Sequence, residues 1–138
     1  MMSFSSTYCS MSSKNGAPYA EGGEYSDGYI TFGTRSFGPY TAMVDSLAPT
    51  IKPHNIFSGK NMSTTDHIIL KISDNLSGIE AFNGYVDDKW VLFEYDKKSH
   101  RLTYHYSSES LEKGNHTLRM EVVDKVGNEN SYQASFTY

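Results

Sequence analysis

The groups in this 138-residue chain that are able to attack a substrate or hold an ion are five histidines, one cysteine and sixteen acidic residues. Cys9 has no second cysteine, so neither an internal disulfide nor a two-cysteine metal knuckle is available. Its surroundings are Ser-rich and poor in aliphatics, with nothing to hold a histidine against the thiol and lower its pKa. His54, His67, His100, His105 and His116 are scattered, and no His-Glu-x-x-His occurs. His100 and His105, five apart, fall on opposite faces of any strand. Histidines facing solvent or sitting in turns are expected. There is no Gly-x-Ser-x-Gly elbow and no Gly-rich phosphate loop ahead of a helix. Asp87 and Asp88 read as the two residues of a tight turn, an ordinary place for carboxylates. No catalytic residue, cofactor or metal is assigned on these grounds.

Two groupings depend on the elements that carry them. One is a set of oxygen-bearing residues at turn signals: Asp74, Asn75, Asp96, Asp124 and Asn128. The other is the aromatic segment holding Trp90, Phe93 and Tyr95. The carrying elements read as strands. Residues 1–48 have Ile30, Val44 and Leu47 as their only Ile, Leu or Val, against eight aromatics. Residues 1–28 are too poor in apolar surface to offset the entropy of ordering a backbone, and disorder is expected there. Residues 29–32 and 40–44 read as two strands of a hairpin around Gly38-Pro39, with residues 29–48 as a remnant of a preceding β domain and its linker.

Residues 49–138 have a different texture. Short alternating segments, each bounded by turn residues, recur at 50–53, 67–73, 79–86, 89–95, 100–106, 117–124 and 132–138. They predict an all-β fold, a seven-stranded immunoglobulin-like antiparallel sandwich. Ile68, Leu70 and Ile72 fall on one face, as do Leu102, Tyr104 and Tyr106, and Leu118, Met120 and Val122. Pro53 places the first strand at an edge. Segment 79–86 is expected to pair with 89–95, and 117–124 with 132–138. A net charge of −4 and the lack of any Lys or Arg run argue against nucleic acid. No apolar run is long enough to span a bilayer.

Because successive antiparallel strands reverse direction, the turns carrying Asp74 and Asn75, Asp96, and Asp124 and Asn128 all fall at one end of the sandwich. Such a cluster of hard oxygen donors suits Ca²⁺. The reading preferred from sequence is that each caps its own turn through nearby backbone N–H groups. In segment 89–95, Trp90, Leu92 and Glu94 share one face, and Val91, Phe93 and Tyr95 the other. Large side chains on both faces mean that one face is covered by a neighbouring domain or presents a platform for stacking sugar rings, with Trp90, Phe93 and Tyr95 as the candidates.

The stretch from Leu111 to Asn128, with its Gly114 turn and Asp-x-x-Gly-Asn ending, resembles the penultimate strand of bacterial immunoglobulin-like and fibronectin type III-like modules. Ile72-Ser73-Asp74-Asn75-Leu76-Ser77-Gly78-Ile79 resembles an earlier corner of the same modules. His116 stands near the place where those modules have a corner tyrosine, which implies a structural role. Gly22 to Tyr29, Arg35 to Asp45 and Gly84 to Asp96 together resemble the C-terminal region of envelope proteins that carry a lysostaphin-like zinc peptidase domain. In that family the His-x-x-x-Asp and His-x-His ligand pairs lie in the peptidase domain, and neither pair occurs here.

The resemblance implies a non-catalytic accessory module of a metallopeptidase-related protein, in the cell envelope, periplasmic or extracellular. Docking on the neighbouring domain of the same polypeptide, spacing, or presentation of a surface to the cell wall would be its work. The alternative is a carbohydrate-binding module for cell-wall glycan using exposed aromatics. The start of the chain lacks a signal h-region, as expected for a piece of an exported protein. Asp45-Ser46-Leu47 resembles an O-glycosylation triplet and is expected in an exposed linker.

Overall fold

A computed structural model describes residues 8–14, 17–35 and 37–138. Five strands precede the sandwich: β1 (Tyr8–Lys14), β2 (Ala17–Gly22), β3 (Glu24–Ser26), β4 (Tyr29–Thr31) and β5 (Tyr40–Val44). They correct the expected hairpin. β4 pairs with β3 rather than with β5, and β5 pairs with β1 in a sheet ordered β2-β1-β5. The cause lies in Asp27-Gly28, whose φ values of +52° and +86° suit a two-residue hairpin turn better than Gly38-Pro39 does. β1, β2 and β3 lie within residues 1–28, the stretch whose composition leads to the expectation of disorder. β1 pairs with β2 on one side and β5 on the other, so its backbone groups find ladder partners along both edges.

The sandwich is built from β6 (Thr50–Pro53), β7 (Lys60–Asn61), β8 (His67–Ser73), β9 (Ile79–Val86), β10 (Lys89–Val91), β11 (Glu94–Asp96), β12 (Arg101–His105), β13 (Asn115–Asp124) and β14 (Glu129–Thr137). One sheet is ordered β10-β9-β13-β14-β7 and the other β11-β12-β8-β6. This is an all-β sandwich of largely antiparallel sheets, and all seven expected segments take part. The expected pairings of β9 with β10 and of β13 with β14 are present. Every pairing in the sandwich is antiparallel except the two-residue contact of β7 with β14. Pro53 ends the edge strand β6, where its missing N–H costs no ladder bond. Among the described residues no helix is long and apolar enough to cross a membrane.

Period-two alternation puts one face of each strand inward. Ile68, Leu70, Ile72, Leu102, Leu118 and Met120 are completely buried, and Val122, Ala134 and Phe136 nearly so. Aromatic rings extend this core. Phe93, Tyr104, Tyr106 and Tyr138 stack in sequence with centroids 5.2 to 5.8 Å apart. Segment 89–95 behaves differently from a single strand: its first part pairs with β9 and its last part with β12, so the chain crosses from one sheet to the other at Leu92-Phe93. Phe93 turns into the core at this crossing. Its ring lies so close over Gly84 that a Cβ there would stand 2.4 Å from the ring carbons.

Candidate functional site

Two sites join distant parts of the chain, one at each end of β9. At the β9–β10 turn, Asp87 and Asp88 have φ of +50° and +61°, the left-handed pair a two-residue hairpin requires, with Asp in place of the usual glycine. Asp87 also reaches β13. Its Oδ2 lies 2.6 Å from His116 Nδ1, and its Oδ1 accepts the Thr117 N–H at 2.9 Å. The other ring nitrogen of His116 donates to the Glu112 carbonyl at 2.8 Å. The ring is 9% exposed and packs on Phe136. Burial alone would lower the His116 pKa, but the Asp87 carboxylate and the Glu112 carbonyl outweigh it and raise the value above the ordinary 6.5. Burial opposes ionisation of Asp87 as well, and the hydrogen bonds from His116 and Thr117 overcome it, so its pKa falls below 3.8. This pair ties a hairpin turn to the loop before β13. The structural role expected of His116 is the one observed.

The opposite end of the sandwich carries the oxygen cluster. Asp74 Oδ2 accepts the N–H groups of Leu76 (3.0 Å) and Gly78 (2.8 Å). Asp124 Oδ1 accepts those of Val126 (3.0 Å) and Asn128 (2.8 Å), and its Oδ2 accepts the Asn128 amide at 2.7 Å. Both therefore cap their own turns, as preferred from sequence. They also converge. One carboxylate oxygen from each of Asp74, Asp124 and Asp45 lies within 4.8 Å of the others. Asp45 and Asp124 are 1% exposed.

Asp45 was not among the expected members, because it belongs to the segment before the sandwich and sits in what reads as an exposed linker. The structure buries it. Its Oδ2 accepts the Ser77 N–H at 2.9 Å and its Oδ1 the Leu47 N–H at 3.4 Å. The Asn128 amide donates to the Asp45 carbonyl (3.2 Å) and the Leu47 carbonyl (3.4 Å), and the Asn130 amide to the Pro49 carbonyl (2.8 Å). The linker is gripped by two turns of the sandwich. Ser46 and Leu47 remain exposed, so only Asp45 departs from the expected exposure of the triplet.

Two expected members stay out of the cluster. Asp96 caps its own turn, accepting from the Lys98 N–H at 3.0 Å and the Ser99 hydroxyl at 2.6 Å, bonds that hold its pKa below 3.8. Asn75 is exposed at the rim. Like charges at about 4 Å repel by about 4 kcal/mol at an effective dielectric of about 20, so three carboxylates gathered in a buried corner need compensation beyond one turn each.

The aromatic surface is smaller than expected. Trp90 is 58% and Leu92 64% exposed, whereas Phe93 is 4% exposed and packed on Tyr104. Tyr95 packs edge-on against Phe82 with centroids 5.5 Å apart. Phe93 and Tyr95 thus belong to the inner face, and of the three aromatic candidates only Trp90 lies on the outer one. Its indole N–H donates to Asn83 Oδ1 at 3.2 Å, which lays the ring along β9. Two histidines expected to be scattered are neighbours: His67 and His105 face each other across β8 and β12, ring centroids 5.8 Å apart, and His67 Nδ1 lies 2.5 Å from Asp66.

No family model matches the chain, and no curated protein matches it. Among solved structures it is similar to the crystal structure of CopC from Methylosinus trichosporium OB3b, at 13% identity and a TM-score of 0.47, over 64% of this chain and 92% of that one.

Proposed function

We propose that the chain is a non-catalytic accessory module of a cell-envelope protein related to zinc metallopeptidases, and that its sandwich holds a preceding domain at a fixed orientation. The grip on the linker supports this most directly: four polar contacts from Ser77, Asn128 and Asn130 reach Asp45, Leu47 and Pro49. A module joined by a flexible tether has no use for a buried linker carboxylate, since burying a charge costs free energy that only such contacts offset. The β1–β5 strands before the linker are then the part of the neighbour that this chain includes.

Removing the grip tests the proposal. In the combined Asn128→Ala and Asn130→Ala chain, limited proteolysis within residues 45–49 accelerates by at least about tenfold while circular dichroism of the sandwich is retained. Equal cleavage rates in the two chains contradict it.

A second function, binding of cell-wall glycan, is favoured by Trp90 alone. Its exposed ring lies beside a groove lined by Asn83, Glu121, Asn130 and Ser131 among others, polar groups of the kind that orient a sugar. Soluble peptidoglycan fragments or polysaccharide that quench or shift Trp90 fluorescence support it. An unchanged spectrum at millimolar ligand removes it.

A further inference from the structure

We infer that Asp45, Asp74 and Asp124 form a calcium-binding site at the junction of linker and sandwich. This goes beyond the docking role proposed above and holds whatever the parent protein is. Three observations converge. The first is distance: oxygens that share one Ca²⁺ at about 2.4 Å lie at most about 4.8 Å apart, the spread within which these three carboxylates sit.

The second concerns oxygens without partners. Asp74 Oδ1 is sealed from solvent and has no hydrogen-bond partner, although Oδ2 of the same carboxylate has two. Ser77 is 3% exposed, its N–H is on Asp45, and its Oγ is also without a partner. Buried polar atoms are almost always paired, and a pair of orphans beside a carboxylate cluster marks a place for a ligand that accepts electron density from oxygen. A hard cation is such a ligand, and an all-oxygen donor set selects Ca²⁺ over softer metals.

The third is charge. Lys125 passes over Gly78, its Nζ 4.0 Å from where a Cβ would stand, without an ion pair to any of the three carboxylates among the described residues. The backbone donors at this corner supply dipoles but no full positive charge. A groove lined by Leu47, Ala48, Thr50, Ser73, Asp74 and Asn75 opens beside Asp74, on the outer side of the cluster. Since Asp45 comes from the linker, and Asp74 and Asp124 from two turns of the sandwich, a bound ion would join all three segments.

Thermal melts and NMR titration of the whole chain with calcium chloride, against sodium chloride at matched ionic strength after chelation, test the site. The expected result is a rise of several degrees in Tm, with amide shifts centred on Ser77, Gly78 and Asn128. In Asp74→Asn, which keeps a turn-capping oxygen, calcium affinity falls at least about tenfold. In Asp96→Asn the response is retained. Three outcomes overturn the site: no change in Tm or amide shifts of the wild-type chain at millimolar calcium, a response that survives in Asp74→Asn, or shifts centred elsewhere. The wild-type titration decides even where a variant does not fold. A linker that stays ordered in excess chelator without calcium binding leaves the docking proposal standing, so the two fail separately.

Discussion

Asp87 combines two roles that residue type alone does not reveal together. As the first residue of a left-handed turn it is replaceable by Asn; as the acceptor for His116 it is not. The sign of the linkage follows from the two shifts. A His116 pKa raised in the folded state contributes stability below about pH 6.5 that is lost as pH rises through the folded value. An Asp87 pKa lowered in the folded state contributes stability above about pH 3.8 that is lost as pH falls. The pair is therefore strongest between roughly pH 4 and 6.5. Asp87→Asn is expected to lower the His116 pKa measured by NMR. Its Tm deficit relative to wild type should be largest near pH 5.5 and shrink toward pH 9. A deficit independent of pH would exclude the charged pair. The role of His116 was legible as a structural corner, but Asp87 read only as a turn residue, because 29 positions separate the partners and local spacing does not report a contact made by strand pairing. Asp45 was illegible for the same reason: its partner Ser77 is 32 residues away.

At the scale of elements, the strands of the sandwich were readable wherever one face is buried. β8 runs Ile68, Leu70, Ile72 on its inner face, and a period of two admits no other register. The crossing at Leu92-Phe93 was not readable, since alternation continues unbroken through it and only the partner strand changes. What permits the crossing is Gly84, which clears a space for the Phe93 ring. Gly84→Ala forces that ring and Met120 to move and is expected to destabilise the domain by about 1–3 kcal/mol, the usual cost of overpacking. Phe93→Leu, which vacates part of the space, should reduce the penalty of Gly84→Ala, giving a coupling of about 1 kcal/mol in a double-mutant cycle of urea unfolding. Strict additivity would mean that the ring and the glycine do not meet. Before the sandwich, Asp27-Gly28 is the stronger hairpin signal by turn chemistry. Its left-handed pair folds β4 back on β3, which leaves β5 to pair with β1.

At the scale of the whole molecule, the two ends of the sandwich differ. One end is closed by the His116–Asp87 tie within the domain; the other grips the linker through Ser77, Asn128 and Asn130, which bond to Asp45 and Pro49. That asymmetry, more than any surface feature, supports a module that orients what precedes it. It also yields the most direct test, the heteronuclear ¹H–¹⁵N NOE of the linker amides in the whole chain at neutral pH. Linker residues as rigid as the strands of the sandwich, with values of about 0.8 for Asp45 and Leu47, are predicted, as for backbone held at order parameters near 0.85. Values falling well below those of β8 and β13, as in a free tether, would contradict a fixed orientation.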